Sequence, residues 1–516
     1  MKVKSEKLKK GIVYLVGAGP GDPGLLTLRG AELLMEADVI IYDRLVGAPL
    51  LEWNSHAEKI YAGKHSSERT QKPPQHFDQT KINRLMVKLA LQGKKVVRLK
   101  GGDPFIFGRG GEEALYLKEQ GVPFEVIPGI SAGTGVPAYA GIPLTDRRFA
   151  SQVTLVTGHE EAHKAKTSVA WDHLAQSPGT IVSFMAMKNL AGMVKALIRG
   201  GKTPDTGVCV IENGTLPEQR VIEGSLADIV AKVRVHKIRS PALTVIGEVT
   251  RLRKKLAWFE KKPLYGRTVL ITRARAQAGS LKKILLQRGA RVLEFPAIEI
   301  VPPESWGPLD RSLAKLQEYH WVVFTSVNGV ENVFERIHRM GKDSRIFAKT
   351  KIAAIGQMTE AALKEHGLRV DLRPERYTSE ALAEKLEQSG EVAGRSFLLP
   401  RADIAPVYLR LKLQELRARV TEVVAYRTRP SDAARKELHQ WLKEEPIDYV
   451  LFTSRSTVQS FFQAVPKKLK RNLKTRFVSI GPVTSGTLRH YGVHPFREAR
   501  EHTVNGLVEV LAHAGK

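Results

Sequence analysis

A chain of 516 residues is too long for one hydrophobic core and predicts about three to four domains. Apolar residues make up 42% of it, enough to fold them, and 81 lysines and arginines against 53 acidic residues leave a charge of +28 that draws anions toward any basic cleft. The single cysteine, Cys209, excludes an intramolecular disulfide and a cysteine-cluster metal site and points to a reducing, cytoplasmic setting, while no apolar run approaches the ~18 residues of a membrane helix.

The first ten residues, MKVKSEKLKK, read as a solvated basic tail. Ile12 to Val16 then predicts a buried strand, followed by Gly17, Gly19 and Gly21 and a helix from about Leu25 to Glu36. A dinucleotide fingerprint needs GxGxxG; here position 22 is Asp22, a poor neighbour for a pyrophosphate, and Pro20 and Pro23 stiffen the turn. Ala37 to Tyr42 predicts a second strand with Asp43 at its C-terminal end, and Lys64 follows the next short strand. A carboxylate and an ammonium at strand ends suit proton transfer, although spacing alone favours a surface salt bridge. Lys72 to Lys81 is polar, carries Pro73 and Pro74, and reads as a loop over the site; an amphipathic helix follows to Leu91.

The most informative stretch is RLKGGDPFIFGRGGEE, Arg98 to Glu113. A strand, Lys95 to Leu99, enters a glycine-crowded turn where missing side chains let backbone groups reach a ligand directly. Asp103 places a carboxylate in that turn, and Phe105 and Phe107 supply apolar faces. After a strand over Val122 to Ile127, Pro128 and Gly129 mark a hinge, and Pro128 to Thr145 is rich in small residues, as close approach to a ligand or to a neighbouring lobe requires. Val153 to Thr157, Thr180 to Phe184, Thr206 to Ile211 and Ala242 to Ile246 predict strands of a second α/β lobe. On the residues alone, Met185 reads as core and Gly214 as a turn.

This stretch, together with VGAGPGDPGLLTLRG (Val16 to Gly30), resembles the uroporphyrinogen-III C-methyltransferases of the tetrapyrrole methylase family, from about Gly11 to Trp258. The resemblance implies S-adenosyl-L-methionine as cofactor, with contacts at Pro20, Gly101, Gly102, Asp103, Ile106, Ser131, Ala132, Met185 and Gly214. It implies Asp43 as proton acceptor and Lys64 as donor, uroporphyrinogen III as the substrate methylated at carbons 2 and 7 to precorrin-2, and a homodimer through this half.

Arg251 to Tyr265 is strongly basic and reads as a linker, after which the pattern changes and repeats at a spacing of about 125 to 128 residues, far too long for a solenoid unit. GRTVLITRA (Gly266 to Ala274) recurs as GRSFLLPRA (Gly394 to Ala402), FTSVNGV (Phe324 to Val330) as FTSRSTV (Phe452 to Val458), and AIGQMTEAALKEHG (Ala354 to Gly367) as SIGPVTSGTLRHYG (Ser479 to Gly492). Two similar α/β lobes follow. Their Thr-Ser and Ile-Gly strand ends precede helices whose first turns suit carboxylates or serve as ordinary caps. These pieces resemble uroporphyrinogen-III synthase over about Pro263 to Lys516, which implies cofactor-free cyclisation of hydroxymethylbilane with inversion of ring D and loss of water. By that resemblance Tyr426, in AYRT, assists departure of the hydroxyl; as a residue it equally reads as a buried core tyrosine.

The expected architecture is therefore α/β: a two-lobed tetrapyrrole methylase fold over 11–250 (lobes 11–127 and 128–250), a linker over 251–265, and a two-lobed synthase fold over 266–516. A crossed connectivity, implied by resemblance, gives synthase lobes of 266–300 plus 431–516 and of 301–430. The reading is a bifunctional enzyme of anionic tetrapyrroles whose second half makes what its first half methylates. The alternatives are a methyltransferase of another corrin intermediate or a basic nucleic-acid-binding protein. No zinc-finger spacing, RNA-recognition signature or sustained basic helix speaks for nucleic acid, and siroheme and cobalamin destinations are not separable from the sequence.

Overall fold

The computed structural model describes residues 11–512 other than 55, 64–77, 159–168, 273–274, 297, 445 and 467–474. Two compact units emerge, one running to Arg267 with Leu285–Arg291, the other comprising Thr268–Ile284 with Val292–Leu511. No helix among the described residues is long and apolar enough to cross a membrane.

The first unit opens with a parallel sheet of β1 (Ile12–Gly17), β2 (Val39–Tyr42), β3 (Glu58–Tyr61), β4 (Lys95–Lys100) and β5 (Phe124–Ile127), in the order β3-β2-β4-β1-β5. The strands are apolar on both sides because both faces are covered. Val13, Leu15, Val39, Ile41 and Val96 pack under helices α3 (Gln79–Leu91) and α4 (Gly110–Glu119), while Val16, Ile40, Val97 and Leu99 pack against α1 (Leu28–Glu36). β1 and β4 are neighbours whose following helices lie on opposite faces. That makes the crevice beyond their C-terminal ends a topological switch point, where open α/β sheets bind ligands. The first helix begins later than its apolar pattern suggests. Asp22 caps a separate short turn over Pro23–Leu25 before Thr27 caps α1.

A short helix α2 (Ala48–Leu51) follows β2, and α5 (Ala132–Tyr139) leads to the second sheet. That sheet contains β6 (Val153–Thr157), β7 (Thr180–Phe184), β8 (Gly207–Glu212), β9 (Arg220–Ser225) and β10 (Ala242–Ile246), ordered β6-β7-β10-β8-β9, with only β6 and β7 parallel. β9 was not among the expected strands.

Residues 251–265, expected as a linker, fold instead onto the first unit. Phe259 is 2% exposed, its ring lies 5.0 Å from Tyr139 and 5.8 Å from Tyr265, and Trp258 lies 5.1 Å from Tyr139. Arg253 pairs with Glu223 and Glu260 and donates to the Ala140 carbonyl. Of the lysines that gave the stretch its linker character, Lys262 lies over the Trp258 and Phe259 rings, at 5.2 and 4.8 Å from their centroids.

The second unit has two sheets. One is β12-β11-β18-β19-β20, from β11 (Thr268–Ile271), β12 (Arg291–Glu294), β18 (Tyr449–Phe452), β19 (Arg476–Ser479) and β20 (Arg497–Glu498). The other is β13-β17-β16-β14-β15, from β13 (Ile298–Val301), β14 (Trp321–Phe324), β15 (Lys351–Ala354), β16 (Ser396–Ala402) and β17 (Arg419–Pro430). The chain thus leaves the first sheet after β12, builds the whole second sheet, and returns. The internal repeat explains the arrangement: each sheet holds a Gly-Arg strand beside a Phe-Thr-Ser strand beside an Ile-Gly strand, β11-β18-β19 in one and β16-β14-β15 in the other. Every sheet therefore mixes strands from both copies of the repeat.

Candidate active sites

At the switch point, three loops meet backbone to backbone. The Gly102 N–H donates to the Gly19 carbonyl at 2.8 Å and the Gly19 N–H donates back at 3.2 Å, both residues in the left-handed region at φ +72° and +74°. A Cβ on Gly129 would stand 2.3 Å from the Gly102 oxygen and 2.7 Å from the Gly17 Cα, so no side chain fits there. Asp103 ties the same loops, its Oδ1 accepting from Phe105 N–H at 2.8 Å and its Oδ2 from Gly129 N–H at 3.0 Å. Asp22 is likewise structural, accepting from Gly24 N–H and the Tyr139 hydroxyl at 2.8 Å each.

Helix α5 gathers the remaining loops because its residues are small. A Cβ on Gly135 would meet Pro20 at 2.9 Å, one on Gly133 would meet the Phe184 ring at 2.8 Å, and one on Gly214 would meet Val136 at 2.3 Å. Ser131 caps α5, accepting from Gly133 N–H, and Gly102 lies against Ser131 and Ala132. The Phe107 ring sits 4.9 Å from Phe184, next to which Met185 is 48% exposed. Ile106 is also partly exposed, and Gly101 abuts Leu45. Phe107, Met185, Asn213 and Thr215 all have left-handed backbone, which is costly for a non-glycine residue and concentrates at ligand-binding loops. Sequence reasoning gave no signal for this strain.

Asp43 leaves the end of β2 and accepts from Arg98 Nη2 at 2.6 Å; its side chain is 30% exposed. Arg98 is 3% exposed, and its Nε donates to Glu113 Oε1 at 3.0 Å; Glu113 is wholly buried and pairs through Oε2 with Lys100 at 2.8 Å. Gln79 of α3 also donates to Glu113. Burial opposes the charge on Arg98, yet Asp43 and Glu113 hold its pKa above the ordinary value. Burial and the nearby Arg98 lower that of Lys100. For Glu113 burial pushes upward, but Arg98 and Lys100 outweigh it and leave the carboxyl below its ordinary range. Lys64 lies outside the described residues, so Asp43 is seen with Arg98 as its partner.

In the second unit, Ser326 ends the strand segment after β14 and caps the helix Val327–Arg339, accepting from Gly329 N–H at 3.0 Å. The Tyr426 hydroxyl on β17 lies 3.0 Å from the same Ser326 Oγ. Tyr426 is 6% exposed, and burial raises its pKa, so the phenol keeps its proton at neutral pH. In the other sheet Ser454 caps Arg455–Ala464 in the same way, within a reciprocal capping box with Thr457.

Comparison with known proteins decides the family. The Tetrapyrrole (Corrin/Porphyrin) Methylases match residues 12–230, and Uroporphyrinogen-III synthase HemD matches residues 279–509. The Porphyrin biosynthesis protein HemD of Ruminiclostridium josui is 35% identical over 513 residues, covering 98% of this chain and 99% of that protein. The chain belongs to this family of fused tetrapyrrole methylases and uroporphyrinogen-III synthases. The Uroporphyrinogen-III C-methyltransferase of Bacillus subtilis is 41% identical over 365 residues, 70% of this chain and 73% of that protein. A Thermus thermophilus uroporphyrin-III C-methyl transferase, crystallised with S-adenyl homocysteine, is 38% identical over 47% of this chain and 94% of its own, with a TM-score of 0.40.

The methylase half thus gathers Pro20, Gly102, Asp103, Ser131, Ala132 and Gly214 into one cluster, with Gly101, Ile106 and Met185 on the adjoining loops. Asp43 stands at the end of the neighbouring strand. Gly129 was read as a hinge and Arg98 as a strand residue; the structure packs Gly129 into the loop junction and joins Arg98 to both Asp43 and Glu113. Gly129→Ala is expected to force the three loops apart, at a cost of about 1–3 kcal/mol for overpacking. Calorimetric titration with S-adenosylhomocysteine should show weakened binding, whereas unchanged affinity would mean that the loop junction does not shape the cofactor site.

Proposed function

We propose that the methylase half converts uroporphyrinogen III to precorrin-2 by methylation at carbons 2 and 7, and that the synthase half makes uroporphyrinogen III from hydroxymethylbilane. The observation that carries the methylase reading is the junction of Gly17, Gly102 and Gly129 at the switch point, a cradle that any Cβ would fill. Backbone groups with exposed Ile106 and Met185 beside them suit a cofactor with polar and apolar parts, so the residues fit S-adenosyl-L-methionine. When bound, it supplies an electrophilic sulfonium methyl group that an electron-rich pyrrole carbon attacks in line. The loops of Pro20, Gly101, Gly102, Asp103, Ile106, Ser131, Ala132, Met185 and Gly214 hold and orient the two reactants, which is the larger part of the catalysis. Asp43 accepts the proton that the alkylated macrocycle releases, and Lys64 is its proposed complement as donor.

In the synthase half Tyr426, protonated and anchored beside Ser326, donates to the hydroxyl group of hydroxymethylbilane as it leaves as water. The resulting cation then closes with ring D inverted. No cofactor is needed for that step. The net charge of +28 suits substrates that carry several carboxylates. The division into a methylase half from residue 11, onto which residues 251–265 fold, and a synthase half from 266 belongs to this reading, as does the methylase homodimer; Leu28 and Met35 of α1 are exposed apolar side chains. A cytoplasmic setting also belongs to it, supported by the lone cysteine. Nucleic acid is not among the proposed partners.

Anaerobic incubation of purified uroporphyrinogen III with S-adenosyl-L-methionine tests the methylase assignment. A product heavier by two methyl groups is expected. Methylation of precorrin-2 but not of uroporphyrinogen III would assign this half to a later corrin intermediate.

A further inference from the structure

Four charged side chains run in line from the interior of α4 to the mouth of the methylase site. Glu113 is wholly buried, Arg98 and Lys100 are nearly so, and only Asp43 reaches solvent. Arg98 is fixed on three sides: Nε on Glu113, Nη2 on Asp43, and Nη1 toward the Ile41 carbonyl at 3.4 Å. A guanidinium is a rigid planar fork, so fixing one edge on Glu113 sets the direction of the other. Lys100, two residues further along β4 on the same face, occupies the second oxygen of Glu113. The row therefore holds two cations and two anions.

A tie between α4 and the sheet does not require these charges. Ala114 and Leu117 of α4 already pack against Val13, Leu15, Ile41 and Val96, and apolar replacements of buried ion pairs are commonly as stable as the pairs. What apolar contacts cannot supply is a defined orientation for the Asp43 carboxylate and a fixed cation against it. We infer that Arg98 and Glu113 are positioning residues for methyl transfer: Glu113, paired also with Lys100, holds the Arg98 guanidinium so that it orients Asp43 and keeps a cation against it. The inference rests on Asp43 as proton acceptor. The groups that face Asp43 among the described residues are Arg98 and Lys100 of β4 and Glu113 of α4; Arg44 follows it in the chain, and α3 adds only the neutral Gln79 and Asn83.

The charges give the two substitutions opposite signs. Arg98→Met removes the cation that contacts Asp43 at 2.6 Å, so the acid limb of kcat/KM for methylation moves up. Glu113→Gln removes the carboxylate that Arg98 and Lys100 share and leaves both cations near Asp43, so the limb moves down and the plateau falls. Each shift should be about one pH unit, the size expected when one charge at contact distance is removed. Arg98→Lys, which keeps a cation without the fork, should leave the limb near its wild-type position but lower the plateau.

The experiment is a pH profile of methylation of uroporphyrinogen III for the full-length wild type and these three variants, with S-adenosylhomocysteine affinity and the cyclisation rate measured on the same preparations to report folding of each half. Opposite displacement of the limb in Arg98→Met and Glu113→Gln is the expected result. Equal loss at every pH with the limb unmoved would reduce the row to a structural tie and overturn the inference. If Arg98→Met fails to bind S-adenosylhomocysteine, Glu113→Gln and Arg98→Lys decide by the same criterion. Asp43→Asn separates the two readings: retained methylation in that variant removes Asp43 itself, whereas lost methylation with unmoved limbs removes only the positioning role.

Discussion

Replacing Asp43 with alanine should lower methylation of supplied uroporphyrinogen III by about 10²- to 10⁴-fold, the usual contribution of a positioned acid or base, while cyclisation of hydroxymethylbilane continues at the wild-type rate. The carboxylate is the solvent-reaching end of a buried ionic row, accepting from Arg98 at 2.6 Å, and it sits at the end of β2, two strands from β1 in the sheet whose switch point forms the cofactor cradle. Removing it also leaves Arg98 with Glu113 and the Ile41 carbonyl, so some loss of stability accompanies the loss of rate. Asp43→Asn keeps the shape and one acceptor and isolates the chemical contribution. If S-adenosylhomocysteine still binds while the rate collapses, the group acts in the chemical step. An unchanged rate would remove Asp43 from the site.

The mirror-image result is expected for Tyr426→Phe. Cyclisation should fall by about 10²-fold, again the scale of a lost proton donor, and methylation of supplied uroporphyrinogen III should be untouched. The substitution deletes one hydroxyl from a buried ring and leaves Ser326 bonded to Gly329 N–H, so the stability cost is about 0.5–1.5 kcal/mol, the net worth of one hydrogen bond. The product also reports the effect. Hydroxymethylbilane that the enzyme no longer captures closes spontaneously to isomer I, and the ratio of isomers falls with the rate. A variant that cyclises normally would return Tyr426 to the core, where 6% exposure and its packing among the apolar residues of β14 and Val327–Arg339 already place its ring.

The glycine loops were legible in the sequence because they are constrained by geometry that only glycine satisfies. Gly19 and Gly102 are left-handed, Gly17 and Gly129 touch backbone, and such positions announce themselves as residue types. The parallel sheet was legible for a related reason, since strands covered on both faces are continuously apolar. The ionic row was not. Arg98 and Lys100 flank Leu99 in a strand and look like an edge facing solvent, and only the tertiary position of α4 shows that Glu113 meets both. Residues 251–265 misled because lysines dominate the composition while Trp258, Phe259 and Leu264 determine the packing. β9 was missed because its residues are only half-buried along an edge, which weakens the alternation that marks a strand. The repeat in the second half was plain, but its consequence, strands of both copies shared within each sheet, follows from chain connectivity that no local pattern encodes.

The measurement that bears most directly on the whole account is anaerobic incubation of the intact chain with hydroxymethylbilane as the sole tetrapyrrole, plus S-adenosyl-L-methionine, with product mass and isomer followed in time. The account predicts a type III product heavier by two methyl groups, formed faster than spontaneous closure to isomer I. Unmethylated isomer III alone would contradict the methylase assignment, and isomer I alone would contradict the synthase.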